Sequence, residues 1–451
     1  MKQQTRKRIF YAFFILFFLI GGIVVFYADG WRFNFLTFQA EKAGAIYVRS
    51  YPDDAQISLN GKFIQNESAF LSRGTFISGL PPKTYTLDLN ENGYDMWSEQ
   101  AQVLPSLVNE MKYAVLVPRT ATNVATTSGE INNFFEINGS LVTQNTSGTI
   151  RWDGAPIANG TVISHSTDLN DAIIRSSSSV ALSGATALYR LYNFTSATSL
   201  NLDPILKQLS VPITPALNLF IDPYDGTSII LQTSARIIQI DSITQEATVV
   251  EAAPSGETIR SAIAISPSTM AWALFSSSAN ISHIMIYDKS SGAITDNTLT
   301  VNGPVHQLEW VKNGELGILE DNNSVYLYNV SNEKLSKLAD DVKQFYPTSD
   351  GNAVAALEYH SLEVFVFGPQ QQYYRFDLPE IGAVQGLIWY KDESHLFVEY
   401  PGSVSFLDLN DTALKNLTVV SQGMNAHYDP QENALYLIDP GHKLLRFDLP
   451  Q

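Results

Sequence analysis

The chain has 451 residues, 45% of them hydrophobic, a formal charge of −17 and no cysteine. That length asks for two or three domains, and that hydrophobic content excludes wholesale disorder. The acidity argues against nucleic acid as a partner, and the lack of cysteine excludes disulfide frameworks, thiol nucleophiles, Cys-ligated zinc and lipid attachment through cysteine.

The first element is an apolar run. Ile9 to Tyr27 carries no charge across 19 residues, and it follows Lys2, Arg6, Lys7 and Arg8. As a helix it spans about 29 Å, which matches a bilayer core of about 30 Å. The basic start places the N-terminus in the cytoplasm, and Tyr27, Trp31, Phe33 and Phe35 suit the interface. A cleaved signal peptide shares this polarity, but it has a shorter apolar core ending in small residues. Here the end reads Val25-Phe26-Tyr27-Ala28, which favours a retained anchor. Residues 1–30 are therefore read as a cytoplasmic tip and single-pass anchor. The rest of the chain is expected on the far side of the cell membrane.

From Ala45 the pattern changes to period two. Ile46, Val48, Ile57, Leu59, Tyr85, Leu87 and Leu89 alternate with polar residues, as half-buried strands do. Turns are marked by Pro52-Asp53-Asp54, Asn60-Gly61, Pro81-Pro82 and Asn92-Gly93. A small β-domain over 45–118 follows.

In the order of its motifs, this segment resembles a PEGA domain. Tyr51-Pro52-Asp53-Asp54-Ala55 stands at the Pro-x-Gly-Ala turn, with Asp54 in place of glycine. Leu80-Pro81-Pro82-Lys83-Thr84-Tyr85 and Gly93-Tyr94-Asp95-Met96-Trp97 resemble the family's Leu-Pro-x-Gly-x-Tyr and Gly-Tyr-x-x-Trp stretches. The resemblance implies a β-sandwich module without catalytic residues, acting as an extracytoplasmic spacer or binder.

Residues 119–130 are Thr-rich and read as a linker or a closing strand. Beyond them, over 131–451, a phrase recurs: a turn with Pro or an acid, then an apolar strand. It opens at Ile221, Ile265, Trp310, Tyr346, Trp389 and Tyr428, starts that lie 36 to 45 residues apart. Each copy is followed by a second strand, and weaker copies cover 131–202. Units of about 40 residues with four short strands signal β-propeller blades. Tyr346–Leu357 and Ile221–Leu231 resemble the blades of TolB-type, WD-like propellers. The expected fold is mainly β: an N-terminal transmembrane helix, a PEGA-like sandwich, and a propeller of seven or eight blades. The alternative is a pair of β-sandwiches. Because the last unit ends without an outer strand, Thr120–Thr127 is expected to supply it.

The sequence offers little chemistry. No His-Glu-x-x-His, Gly-x-Ser-x-Gly or phosphate-loop motif occurs. The seven histidines have no metal-ligand spacing on a shared element. Asp222–Asp225 and Asp408-Leu409-Asn410-Asp411 fall at blade turns, where acids stabilise the turn by hydrogen bonds, and they are read so rather than as calcium ligands. Trp272, Trp310 and Trp389 read as packing between blades. No catalytic, metal or cofactor residue is therefore assigned, and the binding residues are left open. Three functions remain: a non-catalytic scaffold binding an envelope protein or cell-wall glycan, an envelope enzyme with its site in the channel (glycan-active or quinone-dependent), or a sensor or assembly part. Several acids at one channel mouth would favour the enzyme, and an apolar or aromatic patch would favour an assembly role.

Overall fold

The computed structural model describes residues 3–34, 39–67, 73–124, 129–137, 140–166, 170–176, 188–211, 218–311, 314–367, 371–410 and 417–450. Its first element is helix α1, Gln3–Ala28. The stretch Phe10–Ala28 has a mean hydropathy of 2.5, and none of it is buried against the body. Gly30, with φ +82°, turns the chain out of the helix into a short hairpin. Strand β1 (Trp31–Asn34) pairs there with β2 (Gln39–Lys42).

The period-two segment folds as two facing sheets. Strands β3 (Gly44–Tyr51), β4 (Gln56–Leu59), β5 (Lys62–Ile64), β6 (Thr75–Leu80), β7 (Thr84–Asn90), β8 (Trp97–Gln102) and β9 (Val108–Val115) form them. One sheet has the order β6-β3-β9 and the other β5-β4-β7-β8. The alternating residues Ile46, Val48, Ile57, Leu87 and Leu89 point between the sheets with Trp97. Asn60 and Gly61 both have positive φ, which is what a two-residue hairpin turn requires, and the Asn60 side chain accepts the Thr86 N–H at 2.8 Å. Strands β3 and β9 run parallel, from Ala45↔Val108 to Tyr51↔Val115.

Beyond the sandwich the described residues form eight four-stranded antiparallel sheets in chain order. We number them as blades 1 to 8, with strands A to D. They cover 131–159, 161–201, 218–252, 257–302, 305–339, 342–376, 386–422 and 424–448. Helix α2 (Asp203–Gln208) lies in the link from blade 2 to blade 3 and adds Ile205 and Leu206 to their shared core. An apolar cluster fills every contact between successive blades. Phe135 and Ile137 meet Ile174 and Phe194 between blades 1 and 2, and Val311 and Leu327 meet Phe345 and Ala356 between blades 5 and 6. Ile438 and Leu444 of blade 8 meet Ile131 and Phe134 of blade 1, so the ring closes. A blade alone cannot bury both faces, and the ring supplies the cover.

Blade 8 contributes only three strands of its own. Its fourth is β10 (Thr122–Asn123), which pairs with Leu444–Asp448 in the register Thr122↔Arg446 and Asn123↔Leu445. The Val124 N–H donates to the Leu444 carbonyl at 3.0 Å. The segment expected to close the ring does so through residues 122–124, while 125–128 lie outside the described residues.

The recurring turn phrase joins strands A and B, as its acids indicate. Asp350 accepts the Asn352 N–H at 2.8 Å and Asp429 accepts the Gln431 N–H at 2.7 Å. Between strands C and D, Asp241 and Asp288 do the same for Ile243 and Ser290. Both kinds of turn lie on one face of the ring. The sandwich sits on that face at blades 7 and 8, where Tyr51, Val115 and Val117 pack with Tyr390, Tyr428 and Leu437. Strand β9 runs directly into this shared apolar contact.

Candidate functional site

The A strands of blades 3 to 6 converge on a channel mouth, on the same face as the sandwich and beside it. A cavity of about 590 Å³ opens there, lined by Phe220, Tyr224, Glu309, Trp310 and Pro347. Tyr224 is held by the turn phrase of blade 3: its N–H donates to Asp222 at 3.0 Å. Asp222 is itself fully buried and ion-paired with Lys289 of blade 4, which also donates to the Ser266 carbonyl at 3.4 Å. The buried pair thus ties the Tyr224 turn to the neighbouring blade. Tyr224 is 43% exposed, and Trp310 is half-buried against the core between blades 4 and 5. Glu309 follows the rule for a buried acid. Desolvation raises its pKa, opposed by the Gln307 amide, which donates at 3.3 Å. Among the described residues the mouth presents three aromatic rings and one carboxyl, a set suited to stacking and apolar contact.

The opposite face holds a more polar hollow of about 420 Å³ across blades 3 to 5, lined among others by Asn218, Thr233, Arg260, His306 and Asp321. His306 stands 3.7 Å from Asp321, and both side chains are largely exposed.

The third feature lies where the sandwich meets the ring. His395 opens the B strand of blade 7 and is wholly buried. Its Nδ1 is 2.8 Å from Asp392 and its Nε2 is 3.6 Å from Asp408. The ring stacks on Phe406 at 4.8 Å between centroids. Burial alone would lower the His395 pKa, but the two carboxylates outweigh it and lift it to about 10. Burial would likewise raise Asp408, and the imidazolium holds it below the usual carboxylate range. Trp97 of the sandwich completes the group by donating to Asp408 at 3.3 Å. With both nitrogens of a wholly buried imidazole facing carboxylates, and Trp97 reaching in from the sandwich, this cluster is a bolt between domains.

The sequence-marked acids sit in turns. Asp222 and Asp225 accept the N–H groups of Tyr224 and Thr227, and Asp408 accepts that of Asn410 at 2.9 Å; Asp411 lies outside the described residues. Among the described residues no group of three or more His, Cys, Asp or Glu is placed to hold a metal. Trp272 is fully buried between blades, and Trp389 donates to the Tyr346 carbonyl at 3.0 Å. Trp310 has a second face: it packs between blades and also lines the channel mouth, which its strand position alone did not reveal. The His395 cluster was missed as well. Its signal is a histidine opening an apolar strand three residues after a turn aspartate.

No protein-family model matches the chain, and no curated protein matches it. Among solved structures, it is similar to oligogalacturonate lyase from Vibrio parahaemolyticus at 10% identity and TM-score 0.44, over 72% of this chain and 99% of that one. It is similar to BamB from Moraxella catarrhalis at 12% identity and TM-score 0.44, over 73% and 100%. The C-terminal WD40 domain of Sif2 gives 13% identity and TM-score 0.48, over 74% and 99%. Scores this low carry nothing about activity or partner, and the ring stands on this chain's own strand pairing.

Proposed function

We propose that this protein is a non-catalytic scaffold of the cell envelope, held in the membrane by α1 with its N-terminus in the cytoplasm. The PEGA-like sandwich is the stalk, and the propeller binds an envelope protein or cell-wall glycan at the channel mouth. The observation that carries this reading is the cavity of about 590 Å³ lined by Phe220, Tyr224 and Trp310. Aromatic rings around a hollow favour contact with a partner's apolar surface or a sugar face. Hydrolysis of a glycosidic bond usually needs two carboxyl groups about 5–10 Å apart. Glu309 is the one acid among the described lining residues, which supports binding over that chemistry.

The test is site-specific photocrosslinking in cells from a benzophenone amino acid at position 224, with position 243 as control. Ile243 is 74% exposed on the outer turn of the same blade. The expected result is a discrete adduct from 224 only, lost on Trp310→Ala. Equal adducts from both positions, or none from 224, would refute the channel mouth as the binding site.

A further inference from the structure

Strands β3 and β9 are parallel, so both begin at one end of the sandwich and finish at the other. The finishing end is buried against the propeller. The starting end lies at the base of α1. There the Ala43 N–H donates to the Gly30 carbonyl at 2.8 Å, and Ala43 in turn accepts the Ser106 N–H at 3.1 Å. The Ala45 N–H donates to Leu107 at 3.0 Å. Two hydrogen bonds therefore connect the end of the helix to the loop between β8 and β9. At about 4.8 Å per cross-strand step, that loop sits roughly 10 Å from the chain just past the helix end.

That loop is apolar and uncovered. Leu104, Leu107 and Val108 are 45%, 56% and 45% exposed, side by side at the sandwich's tip. Single exposed apolar residues need no explanation, but a cluster at one end does. Three basic residues lie at the same end. Arg32 lies over Tyr27 and reaches Gly79, Lys42 lies over Trp31, and Lys83 is exposed on the neighbouring turn. This end combines apolar side chains and a tryptophan with three cations and two acids, Asp29, 3.9 Å from Lys42, and Glu41, opposite Arg32 in the hairpin, so the cations exceed the acids by one. That mixture matches the boundary between lipid headgroups and acyl chains.

We infer that Leu104, Leu107 and Val108 dip into the membrane interface as a second contact beside α1, holding the sandwich upright on an anionic bilayer. The inference rests on α1 being a membrane span. With two points of attachment, β3 and β9 stand across the membrane plane rather than along it. Eight residues at about 3.3 Å each place the propeller face roughly 25 Å above the surface.

The test uses the whole chain, whose lack of native cysteine gives single-thiol labelling. Leu16→Cys, Leu107→Cys and Tyr359→Cys are each labelled with an environment-sensitive dye and reconstituted in vesicles of phosphatidylcholine with phosphatidylglycerol. Leu16 reports the span. Tyr359, at the turn between strands B and C of blade 6, reports the far face. The expected result is quenching at 107 by lipids spin-labelled near the headgroup, quenching at 16 by deep labels, and none at 359. Adding Leu104→Ser and Val108→Ser should remove the quenching at 107 and leave that at 16. Quenching at 16 with an aqueous 107 would overturn the second contact while the span stands. Loss of quenching at 16 would overturn both.

Discussion

The pairing of β10 with the last blade gives a direct test of how the ring is locked. Substituting Thr122→Pro together with Val124→Pro removes the N–H that donates to Leu444 at 3.0 Å and the hydroxyl that donates to Arg446 at 3.3 Å. Each bond is worth about 1 kcal/mol net. Val124 also packs on the cluster between blades 8 and 1, and shrinking that contact adds about 1 kcal/mol. The expected loss is about 3 kcal/mol. For a unit of about 320 residues, the unfolding entropy near Tm is about 0.7 kcal/mol/K, so Tm should fall by about 4–5 °C. Thermal melts followed by circular dichroism at one protein concentration read this out. A Tm within about 1 °C of the parent would refute the lock and make residues 119–124 a tether.

Three further predictions concern the buried charges. The His395 pKa is raised from 6.5 to about 10 in the fold, so its stabilising contribution is complete below about pH 6.5 and is lost as pH rises towards 10; Asp408, depressed, loses its own below about pH 4. In urea titrations the stability gap between the parent and His395→Gln should therefore narrow from pH 6.5 to 10, and a gap that widens would contradict the sign. Trp97→Phe keeps an aromatic ring in the core but leaves Asp408 one donor short, at about 1–3 kcal/mol, and limited proteolysis should then separate sandwich from propeller more readily than in the parent. Lys289→Met leaves Asp222 buried without its partner and should cost about 3–5 kcal/mol, with most of that recovered in the double variant Lys289→Met/Asp222→Asn.

Much of this architecture was written in local pattern. The uncharged run before Ala28 announced α1, and alternation at Ile46, Val48, Leu87 and Leu89 announced the sandwich. The turn phrase at six starts announced the blades, because each copy must present the same strand pair to its neighbours. Even the closing strand was legible, since residues 120–127 are rich in β-branched side chains and free of Gly and Pro. What the sequence hid depends on distance in space. Tyr51, Val115 and Val117 alternate like other strand residues, and nothing local marks them as facing Tyr390 and Tyr428 more than 250 positions away. Trp97 and Asp408 are likewise joined only by the docking of the two domains. Phe220, Tyr224 and Trp310 form one rim because blades 3 and 5 flank blade 4 around a common channel, and each reads alone as core or turn.

The central claim is an anchored body facing away from the cytoplasm, and thiol labelling in cells tests it most directly. In a chain without cysteine, Gln4→Cys marks the tip before α1 and Ile243→Cys marks an exposed propeller turn. A membrane-impermeant maleimide is applied to intact cells, stripped of any outer membrane or wall barrier, and again after permeabilisation. The account predicts labelling at 243 in intact cells, and labelling at 4 only after permeabilisation, on a chain that retains residues 1–28. Labelling at 243 only after permeabilisation, or a mature chain beginning near Asp29, would contradict it.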